Sequence, residues 1–295
     1  MHSDPASNSP IQHILACITL TERGEALAAE VTRIAAPLGA KLSFLHVGED
    51  DPQARSTLEE MLTLAGTPPD AGLIIAEGKP AEVVCHTAFA IGADLIVAGA
   101  VPTEGTLEYY VGSVARKIAR KAHCSVLLLT TPTPTQDPLK TAAVTVDFDD
   151  ASRETLAFAV NFVKRFGADT LHVISEYELP ALRLGFDDTS DAREEQHMLN
   201  TLKVDEETRL REFIGGIDFR GIDIRLAALQ GKKGHACAEH ARAHGLDLLI
   251  TTAPGRRLGL LDKLFQHDVE FVLEELPCEF LLYRPPLVGE TGSEK

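Results

Sequence analysis

Gly99 is followed after two residues by Pro102, and nine residues later by the pair Gly112-Ser113. Glycines at a strand-to-helix turn let backbone N–H groups close on an anion, and a helix opening at Gly-Ser turns its positive dipole end to the same charge. The chemistry this spacing fits is phosphate binding, and Arg116, Lys117, Arg120 and Lys121 follow on the same helix. Pro102 removes one N–H donor and fixes φ, while Glu108, Tyr109 and Tyr110 make the turn bulkier and less welcoming to phosphate. A second candidate constellation lies in the run His235-Ala-Cys237-Ala-Glu-His240-Ala-Arg-Ala-His244. Cys237, His240 and His244 fall on one helical face and are metal-ligand types. One helix does not close a zinc site, so a carboxylate from elsewhere would have to complete it; core packing is the alternative. No Ser-His-Asp order, C-x2-C pair, P-loop or H-E-x2-H motif is present, so the sequence offers no catalytic residues.

These residues sit on a pattern that occurs twice. An apolar run at Ile14–Ile18 leads into helical spacing at Leu27, Val31 and Ile34, then a second apolar run closing at His46-Val47. A loop, the run Leu73–Ile75, a helix opened by Gly78-Lys79-Pro80, the buried run Leu95–Gly99, a further helix and the run Ser125–Leu129 complete the half. The second half repeats this order from Ala143–Asp147 through His172-Val173, Gly231, Asp247–Ile250 and Cys278–Tyr283. Offsets are steady: 128 from Gly39 to Gly167, 126 from Val47 to Val173, 153 from Gly78 to Gly231 and from Asp94 to Asp247, and 154 from Cys124 to Cys278. About 27 extra residues are thereby expected between Val173 and Gly231. Short apolar strands alternating with amphipathic helices predict parallel sheets with right-handed crossovers. The expected architecture is α/β: two tandem five-stranded, doubly wound, Rossmann-like domains. They would span 11–131 and 139–286, with an insertion at about 176–212 and a Pro/Thr-rich linker at Thr130–Pro138. The insertion is expected to be a surface excursion with one packed helix, or a lid over the second ligand crevice or a subunit contact.

Composition narrows the partners. A net charge of −16 with pI near 5.1 repels nucleic-acid backbones and anionic lipid, so neither nucleic acid nor membrane is an expected partner. Apolar residues at 44% supply two cores, and aromatics at 5% with no Trp leave Leu, Ile, Val and Ala to fill them, as in helix-covered parallel sheets. The five cysteines are scattered, which suits a reducing compartment. The polar start MHSDPASNSP has no apolar h-region, so a cytoplasmic location is expected.

Together the strand-end Asp147, the Gly99…Gly112-Ser113 spacing and the twofold pattern resemble the universal stress protein family, in its tandem form. Family members that bind ATP resemble a strand ending in Asp followed, after the fourth strand, by G-x2-G-x9-G-[ST]. The resemblance implies a nucleotide lined in the first half by Val47, Gly99, Gly112 and Ser113, with Thr19 where the family has Asp. In the second half it implies Asp147, Val173, Gly255 and Arg256, with Thr252 in the first Gly position and Gln266-His267 in place of Gly-Ser. Each half thus keeps a different part of the site. The resemblance also implies that the halves pair through their last strands as an intramolecular pseudo-dimer, with a homodimer of whole chains as a further expectation. The expected function is a non-catalytic, ligand-sensing or interaction module of the stress response. The alternatives are an ATP-binding switch or slow ATPase, and a binder of a small apolar metabolite under the insertion.

Overall fold

The computed structural model of the chain describes residues 9–102, 109–110, 112–133, 139–178, 192–254, 269–274 and 276–285. The first half runs β1 (His13–Cys17), α1 (Glu22–Leu38), β2 (Lys41–Val47), α2 (Pro52–Leu64), β3 (Gly72–Ala76), α3 (Pro80–Ala90) and β4 (Leu95–Gly99). A two-strand ladder, β5 (Val101–Pro102) and β6 (Tyr109–Tyr110), then α4 (Ser113–Lys121) and β7 (Ser125–Leu129) complete it. The second half runs β8 (Thr141–Thr145), α5 (Asp150–Arg165), β9 (Thr170–Tyr177), α6 (Ala192–Phe213), β10 (Asp223–Gln230), α7 (His235–His244), β11 (Leu248–Thr252) and β12 (Glu279–Tyr283).

Helices α1, α2 and α5 begin at a side chain that accepts from an exposed backbone N–H. Thr21 caps α1 by accepting from Gly24 N, and Gly39 ends it in the left-handed conformation at φ 63°, which glycine adopts without strain. Asp149 and Ser152 form a reciprocal capping box at α5. Leu27, Val31, Ile34 and Leu38 recur along one face of α1 and are buried, the spacing that lays a helix on a sheet.

The ten long strands form one sheet in the order β10-β9-β8-β11-β12-β7-β4-β1-β2-β3. All pairs are parallel except β7 with β12, which run antiparallel and join the halves. At that seam Leu127 lies opposite Leu281, both fully buried, each contributing roughly 2–3 kcal/mol of apolar burial. The apolar clusters on the two sheet faces both continue across the seam. The seam also has a pseudo-twofold pair of hydrogen bonds. Arg284 N donates to Ser125 Oγ (3.1 Å), and Thr130 N donates to Glu279 Oε2 (2.6 Å). Asp94 and Asp247, matched in sequence, do the same job in both halves: each accepts from the two N–H groups that open the neighbouring first strand.

Two features depart from the sequence expectation. Residues 52–64, expected as loop, form α2, started by Asp51 accepting from Gln53 N and Ala54 N with Pro52 in the first turn. Its buried Leu58, Met61 and Leu62 carry a short helical stripe. Consequently α6 is not wholly inserted: it occupies the place of α2 between the second and third strands and is longer, 22 residues against 13. No helix among the described residues is long and apolar enough to cross a membrane.

Candidate functional site

In a doubly wound sheet ligands sit beyond the carboxyl ends of the strands, where strand order reverses. Here those points lie between β1 and β4, and between β8 and β11.

In the first half, β1 runs out to Thr19, whose hydroxyl meets Thr21 Oγ1 at 2.9 Å. Val47 closes β2 and, with Gly48, Glu49, Glu77, Gly78 and Pro80, lines a cleft of about 520 Å³. Both glutamates are exposed and set negative charge where a nucleotide would enter. Gly99 ends β4, and a Cβ there would stand 3.3 Å from Leu27 Cδ1 and 3.9 Å from Arg23 Nε. Arg23 itself donates to the carbonyls of Ala100 (2.5 Å) and Thr130 (2.6 Å). Gly112 precedes α4, and Ser113 is exposed. Of the cations expected beside phosphate, Arg116 and Arg120 are both bound to Glu270 of the second half, Arg116 at 3.6 Å.

The second half fills the matching space with its own charges. Asp147 lies just past β8 and takes an ion pair from Lys233 Nζ at 2.5 Å. Both side chains are substantially exposed, so the pair contributes little stability; its importance is its place. Sheet register corrects one expected equivalence. Val47 pairs with Ala76, and the residue that pairs with the matching Leu229 is Glu176, not Val173. Val173 is fully buried inside β9. The Glu176 carboxylate accepts from Gly234 N (3.0 Å) and Cys237 N (2.8 Å), occupying the N-terminus of α7. Burial raises its carboxyl above the usual range, opposed by those two N–H donors. Thr252 stands at the position of Gly99, its hydroxyl 2.8 Å from Thr155 Oγ1. Thr155 in turn stands at the position of Leu27. A small residue facing a large one in the first half has become two medium residues joined by a hydrogen bond in the second. Gly255 and Arg256 lie outside the described residues, as do Gln266 and His267.

Cys237 does not join His240 and His244. Its buried thiol donates to Gly234 O (3.3 Å), and burial with the adjacent Glu176 pushes it well above its ordinary range, which makes it a poor metal ligand. The two histidines instead meet His172 of β9, a residue that sequence spacing did not single out. His240 and His244, four apart on a helix, were the visible half of that cluster. Among the described residues no group of three or more His, Cys, Asp or Glu is arranged to hold a metal ion.

The family model described as "Universal stress protein family" matches residues 10–130 and again 138–284. The chain is 32% identical over 77 residues to a universal stress protein of Thermus aquaticus. That stretch is 26% of this chain and spans only 56% of the relative. A solved protein of unknown function from Pseudomonas aeruginosa PAO1 superposes with a TM-score of 0.68 at 18% identity, covering 95% of this chain and 94% of its own. A universal stress protein from Archaeoglobus fulgidus gives 0.61 at 15% identity, covering 92% and 98%. At these identities the structural likeness speaks for the fold.

Proposed function

The chain belongs to the universal stress protein family, twice over in tandem, and on that premise we propose that it is a non-catalytic, ligand-sensing or interaction module of the stress response, working in the cytoplasm with degenerate nucleotide sites. One observation carries this. The positions that would meet a nucleotide in the second half are engaged by the protein's own charges, Lys233 on Asp147 and Glu176 on the N-terminus of α7. Electrostatics in the first half point the same way, because Glu49 and Glu77 line the cleft beside Val47 and two of the α4 cations are spent on Glu270. Hydrolysis would further require a positioned base and a complete phosphate cradle, and among the described residues neither is evident.

Calorimetric titration with MgATP tests the proposal. No binding heat is expected at millimolar nucleotide; a stoichiometric isotherm would overturn it. A nucleotide-dependent switch in the first half is the second reading, supported by Gly112 and exposed Ser113 at the start of α4. Native mass spectrometry of the purified chain distinguishes these from a bound metabolite. Such a ligand would fit a cleft of about 450 Å³ between Lys203 of α6, Leu229 of β10 and His240 of α7. The same spectra count chains, and a homodimer belongs to this proposal.

A further inference from the structure

His172 projects from β9 toward α7 and is 3% exposed. Its Nδ1 lies 2.8 Å from His240 Nε2. His244 stacks on His240 with ring centroids 4.0 Å apart, and sits edge-on to His172 at 5.2 Å. Its Nδ1 donates to the His240 carbonyl (2.9 Å), which leaves Nε2 as its open nitrogen. Three imidazoles therefore join the C-terminal half of α7 to β9, alongside the buried Ala241 of the same helix. The first half has a single imidazole there instead of three: His13 bonds Ser43, which holds the place of His172, at 2.9 Å and the Ile91 carbonyl at the end of α3 at 3.1 Å, while Thr87 and Ile91 hold the places of His240 and His244.

We propose that His172 and His240, with His244 stacked against them, form a proton-operated latch that holds α7 on β9 while the pair is neutral and releases the C-terminal half of the helix on acidification.

The geometry sets the stoichiometry. At 2.8 Å one facing nitrogen must donate and the other accept, so one added proton keeps the hydrogen bond as an imidazolium–imidazole pair but places a charge in a half-buried site beside other rings, which weakens the closed state. A second proton puts hydrogens on both facing nitrogens, beside a third ring stacked at 4.0 Å, and the contact breaks. The surrounding charges offer limited relief. From β10, Arg225 opposes protonation and Asp223 favours it, but Asp223 is engaged by Arg225 at 3.3 Å. On α7 Glu239 pairs with His235 at 3.3 Å. Across the cleft stand Lys203 of α6 and Tyr177 of β9. Glu176, at the other end of α7, acts in the opposite sense, since its raised carboxyl holds a proton more readily in place than released.

The direction of the titration agrees. Burial, then the neighbouring imidazoles, push His240 down to about 4, and burial followed by His244 and Arg225 lowers His172. A histidine depressed in the closed state contributes stability above about pH 6.5, lost as the pH falls toward the closed-state value. For His240 alone, a step from pH 8 to pH 5 shifts the closed–open equilibrium about 30-fold toward open.

Amide hydrogen exchange, corrected for intrinsic rates, reads this directly, with α5 as an internal control. Protection across 238–246 is expected to fall by about 30-fold from pH 8 to pH 5 in the wild type while that across 156–163 holds. In His240→Gln, which keeps a polar side chain without the titration, the α7 loss should largely disappear. Unchanged α7 protection in the wild type, or the same pH dependence in His240→Gln, overturns the latch. If the variant does not fold, NMR titration of the wild-type rings decides: a midpoint for His240 well below 6 supports the latch, and one at or above 6.5 overturns it.

Discussion

Replacing both Gly99 and Leu27 by Thr would rebuild in the first half the arrangement that Thr252 and Thr155 have in the second. Gly99→Thr alone places its Cβ 3.3 Å from Leu27 Cδ1, in a strand whose neighbours are packed, and overpacking of this kind costs about 1–2 kcal/mol. Leu27→Thr alone empties part of a site that is 3% exposed and buries a hydroxyl, for about 2–3 kcal/mol. If the effects were independent the double variant would lose about 4 kcal/mol. In the second half, however, the two hydroxyls meet at 2.8 Å, and the space taken by one side chain is released by the other. The double variant is therefore expected to lose only about 2 kcal/mol, a coupling near 2 kcal/mol. Urea denaturation followed by circular dichroism and by tyrosine fluorescence measures this, provided both probes give one transition and the slope is unchanged. Single effects that add to within about 0.5 kcal/mol would refute the reasoning. Gly99 would then owe its place to something other than Leu27, and a ligand would return as its explanation.

Burial, then the nearby Glu30, push the Glu279 carboxyl up to about 7. Its proton is held more tightly folded than unfolded, so its contribution to stability is complete below about pH 4.5 and lost as the pH rises through 7. That amounts to at most about 3 kcal/mol, and Glu279→Gln should flatten the stability profile between pH 5 and 8. Equal slopes for both proteins would sink that account. Glu176→Ala leaves two N–H groups of α7 without their acceptor and should cost about 1–3 kcal/mol, with faster exchange at Gly234 and Cys237 as the local sign. Lys233→Met, which breaks an exposed ion pair, should change the unfolding free energy measured in urea by less than about 0.5 kcal/mol. It should leave the MgATP titration silent, because Glu176 still occupies the helix end.

Much of the architecture was legible because it was written twice. Gly39 and Gly167, Asp94 and Asp247, and Gly78 and Gly231 keep their spacing because each does a local job that a single residue type satisfies: a left-handed cap, a strand staple, a tight turn. The equivalence of Val47 with Val173 failed for the complementary reason. Both follow a histidine, and that coincidence outweighed the register, which is set by backbone pairing and leaves no mark on residue type. Helix α2 is faint in the sequence because its apolar stripe is only Leu58, Met61 and Leu62, although Asp51-Pro52 marks its start. The histidine cluster needed a strand and a helix brought together across 68 residues, and no local pattern contains that information.

Ser125 and Glu279 hold matched places at the seam between the halves, yet one is a neutral hydroxyl and the other a carboxyl that titrates near neutrality. An assembly of two identical chains would be denied this, since symmetry would require both places to change together. Joining the copies in one polypeptide also removes dilution as a way of separating them, because the partner strand is always present at a fixed effective concentration. The seam is thus free to evolve as two unlike surfaces, and an acidic group can be tried on one side without being paid for twice.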